Sequence, residues 1–554
     1  MTLTGNLLDL PTELVLAVFH CLEIVDVLNL RLCCRRLNEL SKERVVWVDI
    51  LRRQQETLPK AQFSAFFSKE EYHSDEFAFQ HAPVASLEHI ATTMHRVSVA
   101  WALPRIVAAG RIERRDNANF LGIDIFLDRW LLVVYAEGKM DIFDLLDTGS
   151  PAPVPRETLV VEDTAWGSYS ASLGETGRSL FVAVAEVSPN LFLEVYEIEF
   201  AEASTSQSDI SVSFFNRVRR LPLDSPKLLR AISPSLSLVA FSGASVVELI
   251  NWNSVGEDTL ERASIKPAYV DDPEFLWNGI VALRFVGPYL IAKTRSLELH
   301  HYGTTEDRPP PFKHYFEHKT FREVTFSYPR LVEQTESQKT LEFTMLGSDV
   351  IQGLFQFLVK IQVPIANPTP DDTYRHVPQD SMHPQMEIDL IGVYPMSLAI
   401  APPSSSASSS RVGRSSGVDT PTPVTSHNPF LHGFGPFGHK SPASVSRGFL
   451  STFCIGPEGK RAIWVERARS SIGREVQVWD HNMRATSNRI LENWAEHLGP
   501  NCVEIEKKVI LKVSSYDLRG ECDDITHCAF GEGLGTIVLG TRSGNMHVLP
   551  VLQP

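Results

Sequence analysis

Between Leu10 and Leu40 the apolar positions recur with helical spacing. Leu14, Val15, Val18, Phe19 and Leu22 share one face of a helix expected to begin at Pro11. A proline's missing N–H costs nothing in a first turn, and Glu13 suits the positive end of the helix dipole. Asp26 is expected to cap a second helix bearing Val27, Leu30 and Leu32. Arg35, Leu37 and Leu40 follow on a third, and Trp47 closes the unit. Three short helices spanning roughly 40 residues bury too little surface to be secure alone. Part of this apolar face therefore belongs against a partner or against the rest of the chain. Residues 51–101 stay helical in character, with Leu87, Ile90, Met94, Val97 and Trp101 on one stripe that stops before Pro104. Such a stripe needs a surface to lie on, and the segment reads as a connector.

From about Arg105 the pattern changes to short strands separated by turn signals, without the amphipathic crossover helices a parallel sheet requires. Asp128–Leu146 gives a strand, a Glu137-Gly138 turn and a second strand; Glu458–Asp480 and Ile525–Leu549 repeat that order. Further hairpins are expected to start near Tyr169, Leu228, Ile280 and Phe343. Trp479-Asp480 ends one strand, and Arg542-Ser543-Gly544-Asn545 supplies a turn in which glycine takes positive φ. These features resemble a WD-like β-propeller with divergent repeats. At about 40 to 45 residues per blade, the β-rich region, with long loops, suits six to eight blades, with seven favoured and two packed β-domains as the alternative. A propeller must close its ring, and the stretch LPRIVAAGRI from Leu103 is placed to pair with the last strands. The expected fold class is α+β multidomain: a small three-helix module at 1–50, the connector at 51–101, and an all-β propeller at 102–401 and 449–554.

Residues 402–448 interrupt the propeller with Ser, Pro and Gly, a composition that cannot build a core. Gly433–Gly438 there satisfies the dinucleotide fingerprint, but Pro436 lies inside it and neither strand nor helix flanks it. Gly413–Gly417 matches a nucleophile elbow with the same lack of context. Thr420, Thr422 and Ser441 precede prolines and offer phosphorylation sites in an otherwise plain spacer.

Composition narrows the function. A net charge of −15 disfavours nonspecific binding to nucleic acid or anionic lipid, and the basic run Arg217–Arg220 reads as a solvated strand end. No apolar run is long enough for a membrane helix. Seven cysteines without a C-x-x-C pair argue for reduced thiols in an intracellular chain, against a disulfide framework or a structural zinc. No metal or cofactor site is expected. His300 and His301 are adjacent, so on a strand they point to opposite faces and belong at a surface or edge. The acidic pairs Asp271-Asp272, Asp371-Asp372 and Asp523-Asp524 lack a partner at a spacing that would mark acid/base chemistry and read as solvated turns. The chain is not expected to be an enzyme.

Leu10-Pro11-x-Glu13-Leu14, Val18, Leu22, Asp26-Val27, Leu30, Cys34-Arg35 and Trp47 resemble the F-box motif in order and spacing. One departure is Leu37, which stands where many members have Trp. The resemblance covers only about the first 50 residues. It implies that Leu10, Pro11, Glu13, Leu14, Val18, Leu22, Val27, Leu30, Leu32, Arg35 and Leu37 bind a Skp-type adaptor and, through it, the cullin of an SCF ubiquitin ligase. The propeller would then hold a protein substrate, in the cytoplasm or nucleus, while other subunits do the transfer chemistry. The alternatives are a propeller scaffold acting outside ubiquitination and, less favoured for want of polar clusters, a propeller hydrolase or lyase.

Overall fold

The computed structural model describes residues 10–57, 79–102, 110–112, 119–145, 154–174, 177–188, 190–200, 215–243, 246–253, 262–265, 279–287, 289–293, 296–301, 312–316, 319, 321–335, 338–349, 352–364, 385–395, 449–467, 474–480, 502–505, 508–513, 524–533 and 535–550. The chain opens with helices α1 (Thr12–His20), α2 (Ile24–Arg31), α3 (Arg35–Leu40) and α4 (Arg44–Thr57), and α5 (Val84–Ala102) leads to the strands. Two end signals differ from expectation. Pro11 is the N-cap of α1, with ψ 149°, and not its first helical residue. Glu23, not Asp26, precedes α2, leaving Asp26 in the first turn, where its charge meets the dipole.

The surface that three short helices lack is supplied by α4 and α5. Val15, Phe19, Ile24, Val27, Leu37 and Trp47 share one core with Ile50 and Leu51 of α4 and with Leu87, Ile90, Ala91 and Met94 of α5. The rest of the α5 stripe goes elsewhere. Val97, Ala100 and Trp101 enter a second core with Ile463, Val465, Phe530 and Leu539 of the β-structure. α5 is thus buried at both ends, and its period holds because each half has its own partner.

The strands form seven sheets of successive hairpins. Blade 1 takes Phe120–Phe126, Trp130–Tyr135, Lys139–Asp144 and Glu157–Val160; blade 2 takes Ala165–Leu173, Ser179–Ser188, Phe192–Glu199 and Asn216–Pro222. Blade 3 spans Leu228–Ser233 to Arg262–Ile265, and blade 4 Ala282–Val286 to Phe312–Tyr315. In blades 1 to 6 the first strand in sequence faces the axis, and in blade 7 Ile525–Phe530 does. These inner strands abut in order from blade 1 to blade 7 and back to blade 1, which makes a single closed ring and excludes two packed β-domains. Blade 7 joins Ile525–Phe530, Thr536–Thr541 and Met546–Pro550 to Gly110–Ile112, which pairs antiparallel with Met546–Val548. The expected closure by the chain just after the connector is present.

Blades 5 and 6 depart from the simple pattern. Blade 5 carries strands of 12, 12 and 11 residues (Gln338–Asp349, Gly353–Pro364, Gln385–Pro395) beside Phe321–Phe326, with Arg330–Gln334 on the far half of the first. Blade 6 holds Phe449–Ile455, Arg461–Arg467, Arg474–Asp480 and Lys508–Val513. On the way between its last two strands the chain pairs Val503–Glu504 in parallel with blade 5. Gly138, at φ +72°, turns blade 1's expected hairpin. Gly122 is required for a different reason, since any Cβ there would meet the Tyr169 hydroxyl of blade 2 at 2.1 Å.

Candidate functional site

Packing divides α1 lengthwise. Val15 and Phe19 point into the core, whereas Pro11, Glu13 and Leu14 are exposed and Val18 is half-buried. Pro11, Leu14 and Val18 lie at i, i+3 and i+7, so one apolar face of the helix stays outside. Leu14 is 52% exposed and Leu32, just past α2, 83%. Val25 and Val45, which the periodicity did not single out, are exposed as well. Arg35 is exposed and pairs with Glu39 at 2.9 Å. Leu10, Leu22 and Leu30 are half-buried against the module core, and Val27 and Leu37 are fully inside it. The sequence-expected site residues therefore fall into an outer group around Leu14 and Leu32 and an inner group that shapes the module.

An ion pair fixes this module to α5. Arg31 of α2 makes a bidentate contact to Glu88, at 2.5 and 3.1 Å, and donates Nε to Ser41 Oγ at 2.8 Å. Its guanidinium lies over Trp47, whose Nε1 donates to the Ser41 carbonyl at 2.8 Å. The other end of α5 is held by Trp101, packed edge-on against Phe530, with the buried Arg461 guanidinium 5.2 Å from its ring centroid. Arg461 in turn donates Nε to Asp480 at 2.8 Å, which gives the Trp479-Asp480 dipeptide its structural role. The outward apolar face and the propeller are thus tied through one helix.

On the propeller a cavity of about 240 Å³ opens between the inner strands of blades 2, 3 and 4 and the turn that follows blade 5's inner strand. Arg230 and Arg284 line it together with Ser172, Ser233, Ser235 and Tyr328. Arg284 lies over the Tyr328 ring, 4.2 Å from its centroid, and burial pushes its pKa down from the ordinary value. Arg230 donates Nε to Ser242 Oγ at 3.0 Å. No motif in the sequence marks these two arginines.

Other candidates resolve structurally. His300 is buried, not at a surface: its Nε2 lies 3.0 Å from Glu298, a buried carboxylate also reached by Lys313 at 3.2 Å. Arg217 and Arg220 sit on blade 2's outermost strand, where Arg220 spans the buried Glu186 and Glu194 at 3.2 and 3.3 Å. Asp524 pairs with Arg474 at 2.7 Å. The other members of the three acidic pairs lie outside the described residues, as do 402–448 and the motifs within them. Among the described residues no group of His, Cys, Asp and Glu is arranged to hold a metal, and no helix is long and apolar enough to cross a membrane.

The fold and this face together define the class, a seven-bladed propeller carried behind a small helical module with an unpartnered apolar side. Residues 7–49 match the family model of the F-box domain, so the chain is an F-box domain followed by a propeller. Similar solved structures include the crystal structure of the C-terminal WD40 domain of Sif2, 8% identical with a TM-score of 0.38, covering 81% of this chain and 100% of that one. The structure of U3-55K is also similar, 8% identical with a TM-score of 0.39 and the same coverage, 81% and 100%. No curated protein matches the sequence significantly.

Proposed function

We propose that the chain is the substrate-recognition subunit of an SCF-type ubiquitin ligase. Its F-box domain takes a Skp-type adaptor and, through it, the cullin, while the propeller presents a protein substrate. The observation that carries this reading is the exposure of Leu14 and Leu32 on a module whose own core is already complete, since apolar side chains left outside a finished core suit a protein interface. The chain supplies proximity: holding substrate and adaptor together raises the local concentration of substrate lysines, and transfer chemistry belongs to other subunits. Such a subunit works in the cytoplasm or nucleus.

The test is co-purification of a Skp-type adaptor with the full chain and with Leu14→Asp/Leu32→Asp. Both side chains are exposed, so the variant keeps the thermal stability of the parent. Adaptor binding should weaken by about thirtyfold or more, as expected for central contacts of an interface. Val27→Ala should instead lose binding only together with thermal stability, because Val27 is core. Undiminished adaptor recovery with Leu14→Asp/Leu32→Asp rejects the assignment.

A further inference from the structure

Arg230 and Arg284 converge on the same cavity from blades 3 and 4, and neither has a carboxylate within ion-pair distance among the described residues. Several other charged groups of the propeller are ion-paired: Arg461 with Asp480, Arg129 with Asp144, Glu194 with Arg217 and Arg220. The arginines' neutral contacts are few. Arg230 reaches Ser242 Oγ and, at 3.4 Å, the Ile280 carbonyl; Arg284 reaches the Phe326 carbonyl at 3.5 Å and both the ring and the hydroxyl of Tyr328. A guanidinium has five donors, so donors remain on both for a ligand. In a chain of net charge −15, two guanidiniums with no carboxylate in direct contact among the described residues line one polar cavity and are placed to receive an anion.

The surroundings limit that anion's charge. Asp124, on blade 1's inner strand, accepts a hydrogen bond from the Tyr169 hydroxyl at 2.7 Å and interacts electrostatically with Arg284. Burial raises the Asp124 pKa while the Tyr169 hydrogen bond and Arg284 hold it down; with that carboxylate ionised, the three groups carry a single positive charge. A singly charged planar group matches it, and carboxylate is the group whose two oxygens meet guanidinium donors in plane. A phosphoryl dianion would bring more negative charge than these three groups balance.

We propose that the Arg230–Arg284 cavity binds a carboxylate of a protein substrate, an acidic side chain or a free chain end. This rests on the reading of the propeller as the substrate-holding part, and it makes the substrate class acidic. Ser233 and Ser235, with hydroxyls 3.2 Å apart, stand at the same wall to donate to an oxygen the guanidiniums leave free.

The experiment presents the purified full chain with four peptide pools of randomised flanks. Three are C-terminally amidated with glutamate, glutamine or phosphoserine fixed at the centre, and the fourth has central glutamine and a free C-terminal carboxylate. The glutamate or the free-end pool should be retained about tenfold over amidated glutamine, as charge-assisted hydrogen bonds allow; which of the two wins identifies the source of the carboxylate. Arg230→Gln and Arg284→Gln should each abolish the preference, and Arg284→Lys should keep part of it. Ser235→Trp blocks the cavity from an exposed position and decides the matter if the arginine variants fold poorly. Equal retention of all pools overturns the proposal. So does stronger retention of phosphoserine than of glutamate, or a preference that survives Ser235→Trp. Because no adaptor is present, failure here leaves the co-purification result standing and removes only the substrate class.

Discussion

Glu532 sits in the turn after blade 7's inner strand, fully buried, and its carboxylate accepts the backbone N–H groups of Glu458 and Lys460 at 2.7 Å and of Arg461 at 2.8 Å. Asp128, in the corresponding turn of blade 1, accepts Gly533 N–H at 2.9 Å. Two carboxylates thereby stitch blades 6, 7 and 1 along one rim. Burial outweighs these donors and pushes Glu532 up to about 8 and Asp128 up to about 6, from ordinary values of 4.5 and 3.8. A raised pKa means the folded state holds the proton more tightly than the unfolded one. The stability these groups contribute is full below their ordinary values and is lost as pH rises, through about 6 for Asp128 and about 8 for Glu532. Glu532→Gln cannot ionise, so its melting temperature relative to the parent should rise steadily from pH 5 to about pH 8 and level off beyond; parallel melting curves would contradict this. None of it was legible in advance. Hydrophobic spacing reports which side chains leave water, not what they meet, so Val27 and Leu37 read like Leu14 and Leu32 although the first two are core and the others exposed. Arg230 and Arg284 carry no local pattern, because blades far apart in sequence bring them together.

At the scale of elements, α5 decides how the F-box domain and the propeller are held. The stripe of Leu87, Ile90, Met94, Val97 and Trp101 was readable, since its period follows from helix geometry alone. That its halves enter two different cores was not, since both cores are assembled from distant segments. A helix shared in this way transmits position, and loosening either end frees the domains from one another. Trp101→Ala should cost about 3–5 kcal/mol, the range for removing a buried tryptophan, read from the urea midpoint of the full chain. Val99→Ala, on the same helix but 40% exposed, should stay within about 0.5 kcal/mol. Equal effects of the two would mean that α5 is not docked on the propeller. The strand hairpins were legible wherever an apolar run met a glycine turn, as at Gly138 and Gly544. Blade 5's long strands and the parallel latch of Val503–Glu504 were not, because parallel pairing leaves no turn in the sequence to announce it.

For the whole molecule, the length of the β-rich region, once allowance is made for long loops, suited six to eight repeats with seven favoured, and closure followed from the need to remove a free edge. The proposed function belongs to that scale as well: an F-box domain with an outward apolar face, a docked helix and a ring with an arginine-lined cavity matter only in combination. Removing residues 1–50 outright would strip Leu87, Ile90 and Met94 of their cover, so surface variants separate the two roles more cleanly than truncation does. The most direct measurement is the half-life and ubiquitin linkage of the propeller's cargo in cells carrying the full chain, Leu14→Asp/Leu32→Asp, or neither. A substrate receptor predicts short-lived, ubiquitinated cargo only with the full chain, and cargo that stays bound yet long-lived with the variant. Equal half-lives and equal ubiquitination in all three would contradict it.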